Sequence, residues 1–276
     1  MRLISFNING LRARFHQLDE LKKLSPDVVG LQEIKVDDSQ FPMDTINELG
    51  YMADHNGQKG HYGVANLTCD IKPSRVFKGF PTDEDDVQKR LITSQFKTSQ
   101  GKEFTFINGY FPQGENRDHE TKFPAKQKFY ADLLNMLTTQ FSPDDLIAIV
   151  GDFNVAPTDK DIGIKPENAK RWLKTGKCAF LPEERAWFEK LEQWGLTDTF
   201  RHLHPEETKQ YSWFDYRSKA FDDDPRRGLR IDHIMVTKPL LDILQTSEID
   251  INIRAMEKPS DHAPVYADFD IELLTD

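Results

Sequence analysis

The chain has 276 residues, 38% of them hydrophobic and 19 of them Phe, enough to build the core of one large domain or two small ones. Its net charge of −10 and pI near 5.3 argue against a protein that coats nucleic acid non-specifically. The two cysteines, Cys69 and Cys178, lack metal spacing and suit reduced, ordinary buried thiols. No apolar stretch is long enough to span a bilayer, and a first strand starting at Arg2 leaves no signal peptide. The expectation is therefore a soluble cytoplasmic protein.

Along the chain, Arg2-Leu3-Ile4-Ser5-Phe6 ends in Asn7, and a helix is expected around His16–Leu24. Val28-Val29-Gly30-Leu31 then ends in Gln32-Glu33. Strands are expected near Tyr62–Leu67 and Leu91–Phe96, with the acidic run Asp83–Asp86 between them as a solvated loop. Phe104-Thr105-Phe106-Ile107 ends in Asn108-Gly109-Tyr110. The segment 124–140 carries Pro124 in its first turn and Phe129, Leu133 and Met136 or Leu137 at helical spacing. Leu146-Ile147-Ala148-Ile149-Val150 ends in Gly151-Asp152-Phe153-Asn154. A helix over 182–194 opens on Pro182 and two glutamates, lines one face with Trp187, Leu191 and Trp194, and stops at Gly195.

Two later strings reverse the order: Asp232 precedes His233-Ile234-Met235-Val236, and Ser260-Asp261-His262 precedes Ala263-Pro264-Val265-Tyr266, with a strand over Val265–Phe269. If these runs are strands, four leave toward one rim and two enter from it, as in an antiparallel sheet. Asn7, Glu33, Tyr110, Asp152, Asn154, Asp232, Asp261 and His262 then meet at one edge. The strand–helix–strand plan occurs twice, ending in Glu33 and in Asp152, which hints at an internal repeat. Because Asn7 and His262 belong to one site, a single domain over residues 1–276 is expected.

Crowded carboxylates repel by about 4 kcal/mol per pair at 4 Å in a protein-like dielectric, so a cation must offset them. Ligands that are all oxygen suit a hard ion such as Mg²⁺ or Mn²⁺, which neutralises phosphate oxygens and activates water. Each string has a plainer reading. Gly151-Asp152-Phe153-Asn154 suits a capped turn, Glu33 a salt-bridged edge residue, and Asp261-His262 a surface pair. Their arrival at one rim favours a metal-and-phosphate active site. Tyr211-Ser212-Trp213-Phe214-Asp215-Tyr216-Arg217-Ser218-Lys219 suits either a DNA-facing loop or a small core beneath a loop. Residues 160–190 hold eight Lys/Arg against five Asp/Glu, and residues 209–230 six against four, so an acidic body has locally basic loops.

At these residues the chain resembles the bacterial exonuclease III family, abasic-site endonucleases of the endonuclease/exonuclease/phosphatase superfamily. The resemblance runs essentially end to end. It is carried by Ser5-Phe6-Asn7-Ile8-Asn9-Gly10-Leu11-Arg12-Ala13-Arg14, Gly57-Gln58-Lys59-Gly60-His61-Tyr62-Gly63-Val64-Ala65 and Asn108-Gly109-Tyr110-Phe111-Pro112-Gln113-Gly114. Arg171-Trp172-Leu173-Lys174-Thr175-Gly176-Lys177-Cys178 and Lys258-Pro259-Ser260-Asp261-His262-Ala263-Pro264 complete the set.

The resemblance implies a four-layer α/β sandwich, with two mostly antiparallel sheets packed face to face and helices outside. It implies a monomeric hydrolase of double-stranded DNA that uses one or two Mg²⁺ ions, with Mn²⁺ as substitute. Such enzymes cut 5′ to abasic sites, remove nucleotides 3′ to 5′ and strip 3′-phosphates and other blocking groups. Carried over by motif, Glu33 is the principal metal ligand with Asn7 and Asp261 near it, and Asp152 and Asn154 share the metal according to how many ions bind. Asp152 orients or deprotonates the attacking water, and Asn154 holds the phosphate. Tyr110 is a hydrogen-bond donor or, as phenolate, an alternative base. His262, paired with Asp232, contacts phosphate. Gln113, Trp213, Leu229, Ile231 and His262 face the DNA, with Trp213, Leu229 and Ile231 forming a small apolar pocket for a sugar without its base. The segment Asp222-Asp223-Asp224-Pro225-Arg226-Arg227-Gly228 is longer than the usual family loop and is expected to flank that pocket. The chain lacks the basic N-terminal arm of nuclear relatives.

Overall fold

The computed structural model describes residues 1–84 and 87–275. Among the described residues, alternating and continuous apolar runs form twelve strands in two sheets. The first sheet holds β1 (Arg2–Asn7), β2 (Val28–Gln32), β3 (Met52–Asn56), β4 (Val64–Thr68), β11 (Leu244–Ile249) and β12 (Val265–Phe269), in the order β11-β12-β1-β2-β4-β3. The second holds β5 (Arg75–Lys78), β6 (Leu91–Lys97), β7 (Glu103–Tyr110), β8 (Leu146–Asp152), β9 (Leu196–Asp198) and β10 (Asp232–Thr237), in the order β5-β6-β7-β8-β10-β9.

The two expected sheets are present and mostly antiparallel, each with one parallel pair at its centre: β1 beside β2, and β7 beside β8. A parallel pair requires a crossover. The helices α1 (Phe15–Lys22) and α3 (Lys122–Gln140) provide it, with the short α2 (Met43–Glu48) also following β2. Matching β1 with β7 and β2 with β8 carries one sheet order onto the other, so the internal repeat is a repeat of topology. Four strands leave toward the rim and β10 and β12 return from it, antiparallel to β8 and β1.

The layers follow from which faces are apolar. Between the sheets lie Leu3, Val28, Phe104, Phe106, Val150, Ile234 and Val265. The outer face of the second sheet packs Ile107, Ile149 and Met235 against Phe129, Leu133 and Leu137 of α3 and Phe188 and Leu191 of α5 (Pro182–Trp194). The outer face of the first sheet covers Leu18 and Leu21 of α1 and Ile46 of α2. The stripe expected for α5 is shifted: Glu184, Phe188 and Leu191 point inward, while Trp187 and Trp194 are half-buried at its flanks. Of the acidic run 83–86, Asp83 accepts a hydrogen bond from the Phe80 amide. Asp85 and Asp86 lie outside the described residues.

Two glycines let backbones meet. A Cβ on Gly151 would lie 1.9 Å from the Gly109 carbonyl oxygen, so this glycine serves strand contact inside β8 rather than the tight turn expected after it. A Cβ on Gly30 would lie 2.8 Å from Val150 and 3.0 Å from Asn108 of the facing sheet. There Asn108 donates across the gap to the Leu31 and Ala65 carbonyls and accepts from Gln32. Among the described residues, no helix is long and apolar enough to cross a membrane.

A fully buried ion pair joins α3 to α5, with Lys126 Nζ 2.5 Å from Glu184 Oε1. The same ammonium donates to the Asn154 carbonyl, and Glu184 accepts from the Ala179 and Leu181 amides. Removing one partner strands the other charge in the interior. Lys126→Met is expected to lower stability by about 3–5 kcal/mol in urea unfolding, and a loss below about 1 kcal/mol would show that the pair carries little.

Candidate active site

The ends of six strands converge on one rim. Register sets Tyr110 beside Asp152 and Asp152 beside Asp232 across the second sheet. From the first sheet, Asn7 closes β1 and Glu33 follows β2. The Asn7 amide bridges the two sheets, donating to Glu33 Oε1 at 3.0 Å and to Asp152 Oδ2 at 2.9 Å. Tyr110 Oη donates to the same Glu33 oxygen at 2.7 Å, and Lys35 Nζ lies 3.0 Å from the other. Glu33 and Asn154 both adopt positive φ, 51° and 53°, conformations that side chains rarely hold without support. Asn154 has that support: its amide N–H donates to Asp152 Oδ1 and its Nδ2 to the Phe111 carbonyl.

His262 enters on the segment before β12. Its Nδ1 lies 2.8 Å from Asp232 Oδ2, and its Nε2 lies 3.8 Å from Asp152 Oδ2. Ser212 Oγ accepts the Ile231 and Asp232 amides, and Ser260 Oγ donates to the Asn7 carbonyl, so both sides of this contact are fixed by hydroxyls. Burial alone would lower the imidazole pKa, but the charges of Asp232 and Asp152 and the hydrogen bond to Asp232 raise it to about 10. Burial pushes the Asp152 carboxyl up to about 7, with His262 and Asn7 opposing and Asp232 and Glu33 adding to the rise. Tyr110 is held well above its ordinary value by burial and by Glu33 and Asp152. In the metal-free protein it is therefore a neutral donor near pH 7.

Glu33, Tyr110, Gln113, Asp152, Asn154, Trp213, Leu229, Ile231, Asp261 and His262 line one cleft of about 260 Å³. Asn7 and Asp232 stand directly behind it, bonded to Asp152 and His262. Asp261 is held by Asn9 Nδ2 at 2.8 Å and by the Trp213 indole N–H at 3.0 Å. The donors facing the cleft are carboxylates and amides, a set that suits a hard divalent ion. Asp152, Asp232 and His262 offer ligand atoms within 4.8 Å of one another, but Asp232 already occupies the His262 Nδ1. Glu33 and Asp261 supply further carboxylates to the same cleft.

The aromatic loop divides between its two readings. Tyr211 and Phe214 are buried and pack edge to face, while Trp213 faces the cleft and Tyr216, Arg217 and Lys219 are exposed. None of the residues 222–228 lines the cleft, but the segment leads directly into Leu229, which does, and Gly228 abuts the Trp213 carbonyl. The preceding Phe221 packs on Phe214, under Arg226 and Arg254.

Sequence reasoning missed several participants. Asn9 links Asp261 to Lys35. Arg90 lies between the Tyr62 and Tyr110 rings, 4.4 and 4.7 Å from their centroids, and donates to the Tyr110 carbonyl. Trp172, Lys177, Cys178 and Ala179 form a further wall of the cleft. The basic composition of 160–190 was the signal available for that wall.

The family model for the Endonuclease/Exonuclease/phosphatase family matches residues 4–262. The chain is 58% identical to an exodeoxyribonuclease III from Haemophilus influenzae over 98% of its own length and all of the relative. Among solved structures it is similar to a Neisseria 3′ phosphatase bound to product DNA hairpin, at 36% identity and a TM-score of 0.86, covering 98% of this chain and 99% of that one. It is also similar to an AP endonuclease from Archaeoglobus fulgidus, at 33% identity and a TM-score of 0.87, with the same coverage of each.

The Asp232–His262 pair fixes a pH dependence. A histidine whose folded pKa is raised stabilises the fold fully below its unfolded value of about 6.5 and loses that contribution as pH rises toward the folded value. In metal-free protein the His262 imidazole is expected to remain charged at pH 8, as read by NMR titration. In Asp232→Asn it should be largely neutral there, and stability should fall less between pH 6.5 and 10. Parallel titration of the two proteins would remove Asp232 as the cause.

Proposed function

Because the chain belongs to the endonuclease/exonuclease/phosphatase family, we propose that it is a DNA repair nuclease of the exodeoxyribonuclease III type. It hydrolyses the phosphodiester 5′ to abasic sites in duplex DNA, and acts at 3′ ends as an exonuclease and phosphatase. The observation that carries the reading is the shared cleft. Acidic groups able to hold a cation, a charged imidazole and a small apolar wall of Trp213, Leu229 and Ile231 all face one space. A phosphate meets the polar side, and a sugar without its base suits the apolar one.

In this reading His262, kept protonated by Asp232, donates from Nε2 to a phosphoryl oxygen. Asp152 accepts the proton of the attacking water, since its raised pKa makes it a stronger base than an ordinary aspartate. Tyr110 and the Asn154 amide are neutral donors toward charge that develops on the phosphate. Glu33, with Asp261, Asn7 and a share of Asp152 and Asn154, would hold Mg²⁺ or Mn²⁺, whose charge neutralises phosphate oxygens. Gln113 faces the DNA from the opposite wall, with its own Oε1 taken by the Glu115 amide. The protein acts as a monomer of one domain in the cytoplasm.

An inositol phosphatase or sphingolipid phosphodiesterase would share the acidic groups, but the Trp213 wall and the cations of residues 160–190 favour a nucleic acid. On an end-labelled duplex with one abasic analogue, the parent should cut once, 5′ to the lesion, in Mg²⁺ and not with chelator. Asp152→Asn should keep its circular dichroism and lose about 10³-fold in turnover, or about 4 kcal/mol of barrier. Activity within tenfold of the parent would exclude Asp152 as base.

A further inference from the structure

We propose that Lys177 is a backbone-phosphate anchor at the mouth of the cleft, its ammonium presented to DNA by the Trp172 ring. This rests on the nuclease reading and adds to it a binding group outside the acidic centre.

The helix α4 (Pro166–Thr175) buries none of its residues completely. Its attachment is Trp172, whose ring lies nearly parallel to that of Phe180, 8° between planes and 5.6 Å between centroids. Phe180 in turn belongs to the small apolar cluster with Ala156, Ala179, Leu229 and Ile231 behind the cleft. The helix ends at Gly176, at φ 73°, and the chain doubles back so that Lys177 Nζ sits 3.8 Å from the Trp172 ring centroid. Trp172 and Lys177 both line the cleft that holds Asp152 and His262.

Several other cations near this rim are already paired with carboxylates. Lys35 pairs with Glu33, Lys122 with Glu115, Arg117 with Glu183 and Lys126 with Glu184. Among the described residues Lys177 makes no ion pair within 4.0 Å, and its ammonium rests on an aromatic face instead. An indole holds a cation in place by its quadrupole and leaves its charge uncompensated, so an arriving anion has no carboxylate to displace. Asp215, Arg171 and Arg217 stand close enough to act on it through their charges. Burial, together with the charges of Arg171 and Arg217 and against that of Asp215, lowers the Lys177 pKa.

A protein of net charge −10 that admits a polyanion to a cleft of carboxylates needs positive potential at its entrance, and Lys177 is placed to supply it. An ammonium is a point charge without the planar fork that reads base edges. Its ligand is therefore a phosphodiester oxygen of any sequence.

The test is steady-state cleavage of the abasic duplex in Mg²⁺ over a series of KCl concentrations. Each phosphate contact contributes about 0.9 to the slope of log affinity against log salt. Lys177→Gln should therefore flatten the slope of log kcat/KM by about 0.9 and raise KM, with kcat within roughly twofold of the parent. Lys177→Arg should restore the slope. Trp172→Leu keeps the charge but frees it, and should raise KM with the slope retained. An unchanged slope in Lys177→Gln, or a loss confined to kcat, would overturn the anchor while leaving the nuclease reading intact. A parent that fails to cut the duplex at all would overturn both.

Discussion

The ion pair between Asp232 and His262 is the contact on which the rest of the site depends. Asp152, Asp232 and Glu33 come together where little water reaches, and their mutual repulsion would spread the strand ends unless positive charge stood among them. His262 supplies that charge from the returning segment before β12. With Asp232 at its Nδ1, the ring is locked in place and its other nitrogen is turned toward Asp152. Asn7 then performs the neutral part of the same task, with one amide donating to a carboxylate from each sheet.

This arrangement has a topological cause. Each sheet carries a parallel pair at its centre and an antiparallel neighbour beside it, so four chain exits and two entries fall on one edge. Face-to-face packing brings the two edges together, and a buried amide clasp between Gln32 and Asn108 closes the gap just beneath them. Beyond the sheets, Lys126 and Glu184 tie α3 and α5 to the loops that bear Asn154 and Ala179. Catalytic geometry is thereby set by main-chain register and buried polar contacts, with little left to exposed loops.

Much of this was legible from the chain alone, because strands whose last residue is polar after an apolar run announce where they end. Asn7, Glu33, Tyr110, Asp152, Asp232 and His262 all stand where polar residues meet apolar runs, and the structure links them by hydrogen bonds and by the 3.8 Å approach of His262 to Asp152. Two sheets were expected from the family resemblance, but strand order was not legible, since alternation and run length say nothing of which strands pair. The inward face of α5 was misread because Trp187 and Trp194 are apolar, whereas Glu184, which turns inward with Phe188, is charged and finds its partner 58 residues away on α3. Arg90 and Asn9 carry no local pattern at all, and their roles arise from neighbours distant in sequence. The loop at 222–228, expected beside the cleft from the family resemblance, contributes no lining residue itself and leads into Leu229, which does.

The contact between Gly151 and Gly109 has a consequence for how such a site can diversify. With a backbone oxygen 1.9 Å from where any side chain would begin, the floor beneath Tyr110 and Asp152 admits no variation, and its dimensions are those of bare polypeptide. The outer wall at Trp172, Trp213 and Leu229 is built from side chains, so its shape is free to drift. Descendants of this architecture can therefore exchange one phosphoester for another while the spacing of the chemical groups stays as it is.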